Sequence, residues 1–131
     1  MKTVATLLCL ALSALADPAP TERAHCNLAV LTRAERERDH QVVPLLRDAL
    51  QERQELSDGY AYRFTPGVLK ELGEWLAIVA KCCQPLSYEV TISPQPGGAV
   101  WVRITGNEAK EFIDAEFAPL TAKLATRGTG K

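Results

Sequence analysis

Tyr60-Ala61-Tyr62-Arg63-Phe64, Ser87-Tyr88-Glu89-Val90-Thr91-Ile92 and Val100-Trp101-Val102-Arg103-Ile104-Thr105 repeat with a period of two. That is the period of a β-strand, whose successive side chains point to opposite faces of a sheet. Ser57-Asp58-Gly59 precedes the first of these stretches, and its Asp-Gly pair suits a tight reversal. Gln51 to Leu56 is then the other arm of a hairpin, polar and weakly patterned, and reads as an edge strand or as the end of the preceding helix. Ser93-Pro94-Gln95-Pro96-Gly97-Gly98 joins the other two stretches into a second hairpin.

The segments around the hairpins repeat every three or four residues. Thr32-Arg33-Ala34-Glu35 is a capping box opening a first helix. Its start, Ala34 to Asp39, is charged with alternating sign and reads as a solvated face. An apolar stripe follows at Val42, Val43, Leu45, Leu46, Ala49 and Leu50, interrupted by Pro44, which predicts a kink or break near Val43. Thr65-Pro66 opens a second helix running to about Lys81, with Val68, Leu69, Leu72, Trp75, Leu76 and Val79 on one face. A second capping box, Thr105-Gly106-Asn107-Glu108, predicts a third helix with Ala109, Phe112, Ile113 and Phe117 inside. The order helix, hairpin, helix, hairpin, helix indicates an α+β fold. It would be a four-stranded antiparallel sheet built from two hairpins, packed against about three helices. The covered face would be led by Tyr62, Phe64, Val90, Ile92, Val102 and Ile104. Trp101 falls on the other, polar face and hints at a protein contact surface.

The first residues constrain location rather than fold. MKTVATLLCLALSALAD carries one lysine, an apolar stretch from Val4 to Leu15, and small residues in Ala14-Leu15-Ala16. This is the layout of a secretory signal peptide over residues 1–16, cleaved before Asp17. The stretch is short for a membrane span, which needs about 20 apolar residues. Residues 17–25 read as a flexible, proline-containing lead-in, 26–120 as one domain, and 121–131 as a disordered tail. The expected product is secreted or periplasmic, with no membrane association after cleavage. A formal net charge of −1 gives no reason to expect nucleic acid as a partner.

Downstream of the leader stand Cys26, Cys82 and Cys83. Three cysteines are odd for an exported protein, where disulfides pair them off. Cys26 could bridge to Cys82 or to Cys83 and leave one thiol over. A bridge within the adjacent pair is disfavoured, because neighbouring Cα atoms lie about 3.8 Å apart and disulfides want roughly 4.4–6.8 Å. Alternatively all three thiolates could hold a soft metal or metalloid ion, with His25 as a candidate fourth ligand. A zinc-ribbon spacing is missing. Redox or nucleophilic catalysis fits poorly, because the pair falls at a helix C-terminus, where the helix dipole opposes thiolate formation. No glycine-rich phosphate loop, metalloprotease His pair or Gly-x-Ser-x-Gly is present.

Cys26-Asn27-Leu28, the Thr-x-x-Glu-Arg helix start, Asp58-Gly59-Tyr60-Ala61-Tyr62-Arg63-Phe64, Cys82-Cys83, Val100-Trp101-Val102-Arg103-Ile104-Thr105-Gly106 and Lys110-Glu111-Phe112 recur together in one kind of protein. The chain resembles, over roughly residues 26–117, a small and largely uncharacterised bacterial vicinal-cysteine domain. That domain is also found attached to regulators of the mercury-responsive type. The resemblance implies bacterial origin, supports the soft-metal reading through the company the domain keeps, and brings no activity with it. This chain departs from it in carrying a leader, in Pro44, and in reading Cys82-Cys83-Gln84-Pro85-Leu86 where the family tends to have Cys-Cys-Pro-Phe. The expectation is an exported, non-catalytic binding module holding a soft metal or metalloid on Cys26, Cys82 and Cys83. Its rival is a structural or interaction protein with one disulfide or buried thiols.

Overall fold

Thr32 starts the first long helix as its sequence predicts. Its hydroxyl accepts the Glu35 N–H at 3.1 Å, and the Glu35 carboxylate accepts the Thr32 N–H at 2.7 Å. Such a cap is worth ~1 kcal/mol. The computed structural model describes residues 22–127, so the expected leader lies outside the described residues. Along the chain the elements are β1 (His25–Cys26), α1 (Arg33–Ala49), β2 (Leu50–Glu55), β3 (Gly59–Phe64), α2 (Leu69–Cys82), β4 (Cys83–Gln84), β5 (Ser87–Ile92), β6 (Val100–Thr105), α3 (Lys110–Glu116) and α4 (Ala118–Arg127). The fold is α+β, with a four-stranded antiparallel sheet in the order β2-β3-β6-β5 and a separate two-stranded pairing of β1 with β4.

Pro44 does not break α1, which runs through it without interruption. The acceptor it leaves without a donor is the carbonyl of His40, an exposed residue. On the opposite side Val42, Leu46 and Ala49 are buried, and this packing holds the helix where local propensity alone would end it. The charged start of α1 is more than a solvated face. Arg38 donates to Glu74 of α2 at 2.7 Å, and Lys81 of α2 reaches Glu35 at 3.0 Å. Asp39 is half-buried. Leu45, in contrast, faces solvent.

Two predicted helix starts differ. Pro66–Val68 forms a 3-10 turn before α2 begins at Leu69, and the Thr65 side chain makes no capping bond. The second capping box does not form. Thr105 is held in the sheet opposite Gly59 and Ser87, and Gly106 donates to the Asp58 carbonyl at 3.0 Å. Glu108 takes a φ of 52°, and α3 starts only at Lys110. The tail expected over residues 121–131 is helical as far as Arg127, and its remainder lies outside the described residues. Residues 118–127 form α4, with Leu120 buried, Leu124 against the core, and Lys123 paired with Asp48 of α1. Leu120 and Leu124 lie one turn apart and supply the inner stripe.

The core lies between the helices and the middle of the sheet. Tyr60, Tyr62 and Phe64 of β3 and Val100, Val102 and Ile104 of β6 point inward, against Leu46, Leu72, Trp75, Ile113 and Phe117. The edges depart from the expected face. Val90 and Ile92 share the side of Val102 and Val100, yet they are 43% and 55% exposed. The helices bank on β3 and β6, and of β5 only Tyr88 reaches under the end of α2. On the other edge Arg53 and Glu55 face inward opposite Tyr62 and Tyr60. They are met by Asp114 and Lys110 of α3, and the Arg53 guanidinium lies 4.5 Å from the Tyr60 ring centroid. This explains why the β2 sequence lacks an apolar alternation: ion pairs cover that edge. Trp101 is half-buried on the outer face, with the Arg63 guanidinium 5.9 Å from its ring centroid.

The Tyr62 hydroxyl is buried and has no hydrogen-bond partner among the described residues. Burial also pushes its ionisation well above the usual tyrosine range. A buried unsatisfied hydroxyl costs about 1–3 kcal/mol. Tyr62→Phe is therefore expected to leave stability unchanged or raise it by about 1 kcal/mol in urea unfolding. A loss of stability would show that the hydroxyl has a partner.

Candidate thiol centre

The three cysteines come together because of where α2 stops. The helix ends at Cys82, and Cys83 turns into extended backbone to begin β4. β4 pairs antiparallel with β1, setting Cys83 opposite Cys26 and Gln84 opposite His25. The Asn27 N–H donates to the Cys82 carbonyl at 2.8 Å and anchors the lead-in on the helix end. The Tyr88 hydroxyl lies 3.3 Å from the Val79 carbonyl and 3.2 Å from the Cys83 carbonyl, sharing its proton between them. The Val79 carbonyl lies in the last turn of α2 and also accepts the Cys83 N–H, and the Cys83 carbonyl is the first beyond the helix end.

Cys26 and Cys83 form a disulfide, and Cys82 stays a free, buried thiol. Of the two pairings open to Cys26 at the sequence level, the structure takes the one with Cys83. A two-residue strand pairing fixes Cys83, and not Cys82, opposite Cys26. The Cys82 sulfur lies 3.6 Å from the Cys83 sulfur. All three sulfurs fall within 4.8 Å of one another, a grouping able to hold a metal ion. Metal–sulfur bonds of about 2.3 Å place neighbouring ligand sulfurs about 3.8–4.0 Å apart. The Cys82 and Cys83 sulfurs, 3.6 Å apart, are near that spacing, whereas the bonded Cys26 and Cys83 sulfurs would have to separate on reduction to reach it.

His25 does not join the cluster. Neighbouring residues of a strand face opposite ways. Its Nδ1 lies 3.0 Å from the Arg23 carbonyl and 3.8 Å from Glu22, out in solvent. His40 is likewise exposed, away from the sulfurs.

No known protein family, curated protein or solved structure matches this chain.

Burial pushes the Cys82 thiol above the usual cysteine range, and the negative charge of Asp39 pushes the same way, with smaller effects from Glu116 and Glu35. Lys81, the nearest cation in sequence, is engaged by Glu35 and does not counter this. A protonated thiol is a poor nucleophile. The centre thus combines a disulfide with a quiet thiol beside it.

Sequence reasoning found all three cysteines but missed Asp39, Glu116 and Tyr88. Asp39 carried a signal: it lies three, four and seven residues before Val42, Val43 and Leu46, so it continues the buried stripe of α1. A carboxylate in such a position is an exception to the rule that acids sit outside. Glu116 and the Tyr88 hydroxyl offered no comparable sign, because their roles depend on which elements meet.

Proposed function

We propose that this protein is an exported, non-catalytic binding module that takes up one soft metal or metalloid ion on Cys26, Cys82 and Cys83 when the Cys26–Cys83 disulfide is reduced. The observation that carries the reading is the closeness of the three sulfurs, all within 4.8 Å. Soft thiolate donors select ions such as Cu(I), Hg(II) and As(III) over hard ones. A dithiol reductant acting on the protein gives two electrons and two protons to the disulfide and is itself oxidised to a disulfide, leaving three thiols whose protons the ion then displaces. Cys82 holds its proton tightly, so uptake strengthens as pH rises. Export rests on the leader pattern of residues 1–16, a feature in which the chain departs from the vicinal-cysteine domain it resembles. No helix among the described residues is long and apolar enough to cross a membrane.

A second reading is favoured by the disulfide itself. In an oxidising compartment Cys26–Cys83 persists and ties the lead-in to the domain. The two readings describe one centre in two redox states, staple when oxidised and ligand set when reduced.

The test is an anaerobic titration of the full chain, reduced and then freed of reductant, with Hg(II), Cu(I) or arsenite. One ion per chain is expected, with near-ultraviolet thiolate-to-metal absorbance and protection of three thiols from alkylation. Cys82→Ser leaves the disulfide pair intact. Loss of a partner that only supports a ligand costs about 10–100-fold in metal affinity, so loss of a ligand should cost at least that. Equal uptake by the oxidised protein, or by Cys82→Ser, would overturn the proposal.

A further inference from the structure

Between α1, α2 and the junction of α3 with α4 lies a cleft of about 380 Å³. This is within the size range of small-molecule sites, about 300–1,000 Å³. Its walls are apolar and largely rigid: Val43 on α1, Trp75 and Val79 on α2, and Phe117. The Trp75 and Phe117 rings meet edge to face with centroids 5.4 Å apart. Two carboxylates, Asp39 and Glu116, line the same cleft, with the exposed His40 beside Asp39. Neither a lysine nor an arginine lines it.

Asp39 is half-buried and Glu116 is exposed, and both differ from the carboxylates that tie the elements together. Glu35, Asp48, Glu74 and Asp114 each face a lysine or arginine. Among the described residues Asp39 and Glu116 take part in no ion pair. Desolvation raises the Asp39 carboxyl above its ordinary range, offset in part by His40. An unpaired carboxylate removed from water is stabilised by any cation that reaches it.

We propose that this cleft is a binding site for a small organic cation, an apolar or aromatic body carrying one ammonium group. The body packs against Trp75, Val43, Val79 and Phe117, and the ammonium sits at the Asp39 and Glu116 carboxylates. An aromatic body stacks or meets edge-on with Trp75 and Phe117, and the ammonium gains both carboxylates at once. A neutral molecule of the same shape loses the charge contact, and an anion is repelled. The cleft neighbours the thiol centre, since Asp39 and Glu116 also act on Cys82, but it does not depend on the metal reading. None of its lining residues is a cysteine.

Three probes of one shape test it: 2-phenylethylammonium, 2-phenylethanol and 3-phenylpropionate. Each is titrated into the isotope-labelled full chain, with binding read from backbone amide shifts in two-dimensional NMR. The ammonium should shift Val43, Val79 and Phe117 and bind roughly five- to tenfold more tightly than the alcohol, the range expected for a partly screened charge contact. The propionate should bind more weakly than the alcohol. Combined Asp39→Asn and Glu116→Gln should erase the preference for the ammonium and leave alcohol binding unchanged, with an otherwise native spectrum. Equal binding of the three probes, shifts centred away from the cleft, or no saturable shift with the ammonium would each overturn the proposal.

Discussion

Cys26→Ser is expected to lower the unfolding free energy by about 4 kcal/mol. The bridge spans a sequence separation of 57 residues. Cross-linking a loop of that length removes roughly 14 cal/mol/K of entropy from the unfolded chain, which is about 4 kcal/mol at 25 °C. Cys26 is the better partner to replace, because it is only half-buried whereas Cys83 is 2% exposed. Serine at position 26 therefore adds little desolvation cost of its own. For a domain of this size the loss corresponds to a fall in Tm of about 15 °C. Cys82→Ser, which leaves the bridge in place, serves as the control. A loss below about 1 kcal/mol in urea unfolding would mean that the unfolded chain is already compact around these residues.

Gly59→Ala is expected to destabilise by about 3 kcal/mol or more, at the upper end of overpacking effects. A Cβ at Gly59 would run into the Ile104 carbonyl oxygen and lie 2.9 Å from the Thr105 Cα. Both obstacles are backbone within the β3–β6 ladder, where Gly59 pairs with Thr105. They cannot move aside without breaking the central pairing of the sheet. Gly73 makes the useful contrast. It lies exposed within α2 with nothing near the position of an added Cβ. Gly73→Ala should therefore stabilise by about 1 kcal/mol through helix propensity. The same chemical change thus has opposite signs at two sites, and parallel urea unfolding of both variants would show it. If Gly59→Ala unfolds like the parent, the strand approach at that corner is looser than described here.

Asp58-Gly59 illustrates how the sequence conveyed a right element for a partly different reason. The pair was read as a turn signal, and the hairpin is there. Yet Gly59 is required by the closeness of β6 rather than by a left-handed backbone, since Gly97 is the only described glycine with a positive φ. Central strands were legible because β3 and β6 are buried on one face, which forces a strict period of two. The edges were not. Val90 and Ile92 keep the alternation but lack a helix over them, and the polar β2 is covered by ion pairs that no periodicity reveals. Pro44 misled because burial of Val42 and Leu46 outweighs one lost hydrogen bond. At the thiol centre, all three cysteines were visible, but the pairing was not. Cys82 and Cys83 are equivalent in sequence, and only the last turn of α2 distinguishes them. The acidic cleft was invisible as a motif because Asp39 and Glu116 are brought together by helices far apart in the chain.

The sealed position of Cys82 separates two lifetimes of the oxidised protein. While folded, Cys82 is 5% exposed and its thiol is held above the usual cysteine range by burial, so the molecule carries a spare thiol shielded from its neighbours. Once the chain opens, burial and the Asp39 charge no longer hold that proton. The thiol then regains ordinary acidity beside a disulfide it can attack. Exchange among Cys26, Cys82 and Cys83, and between chains, would make thermal denaturation a one-way process at neutral and alkaline pH, with a half-life in place of an equilibrium.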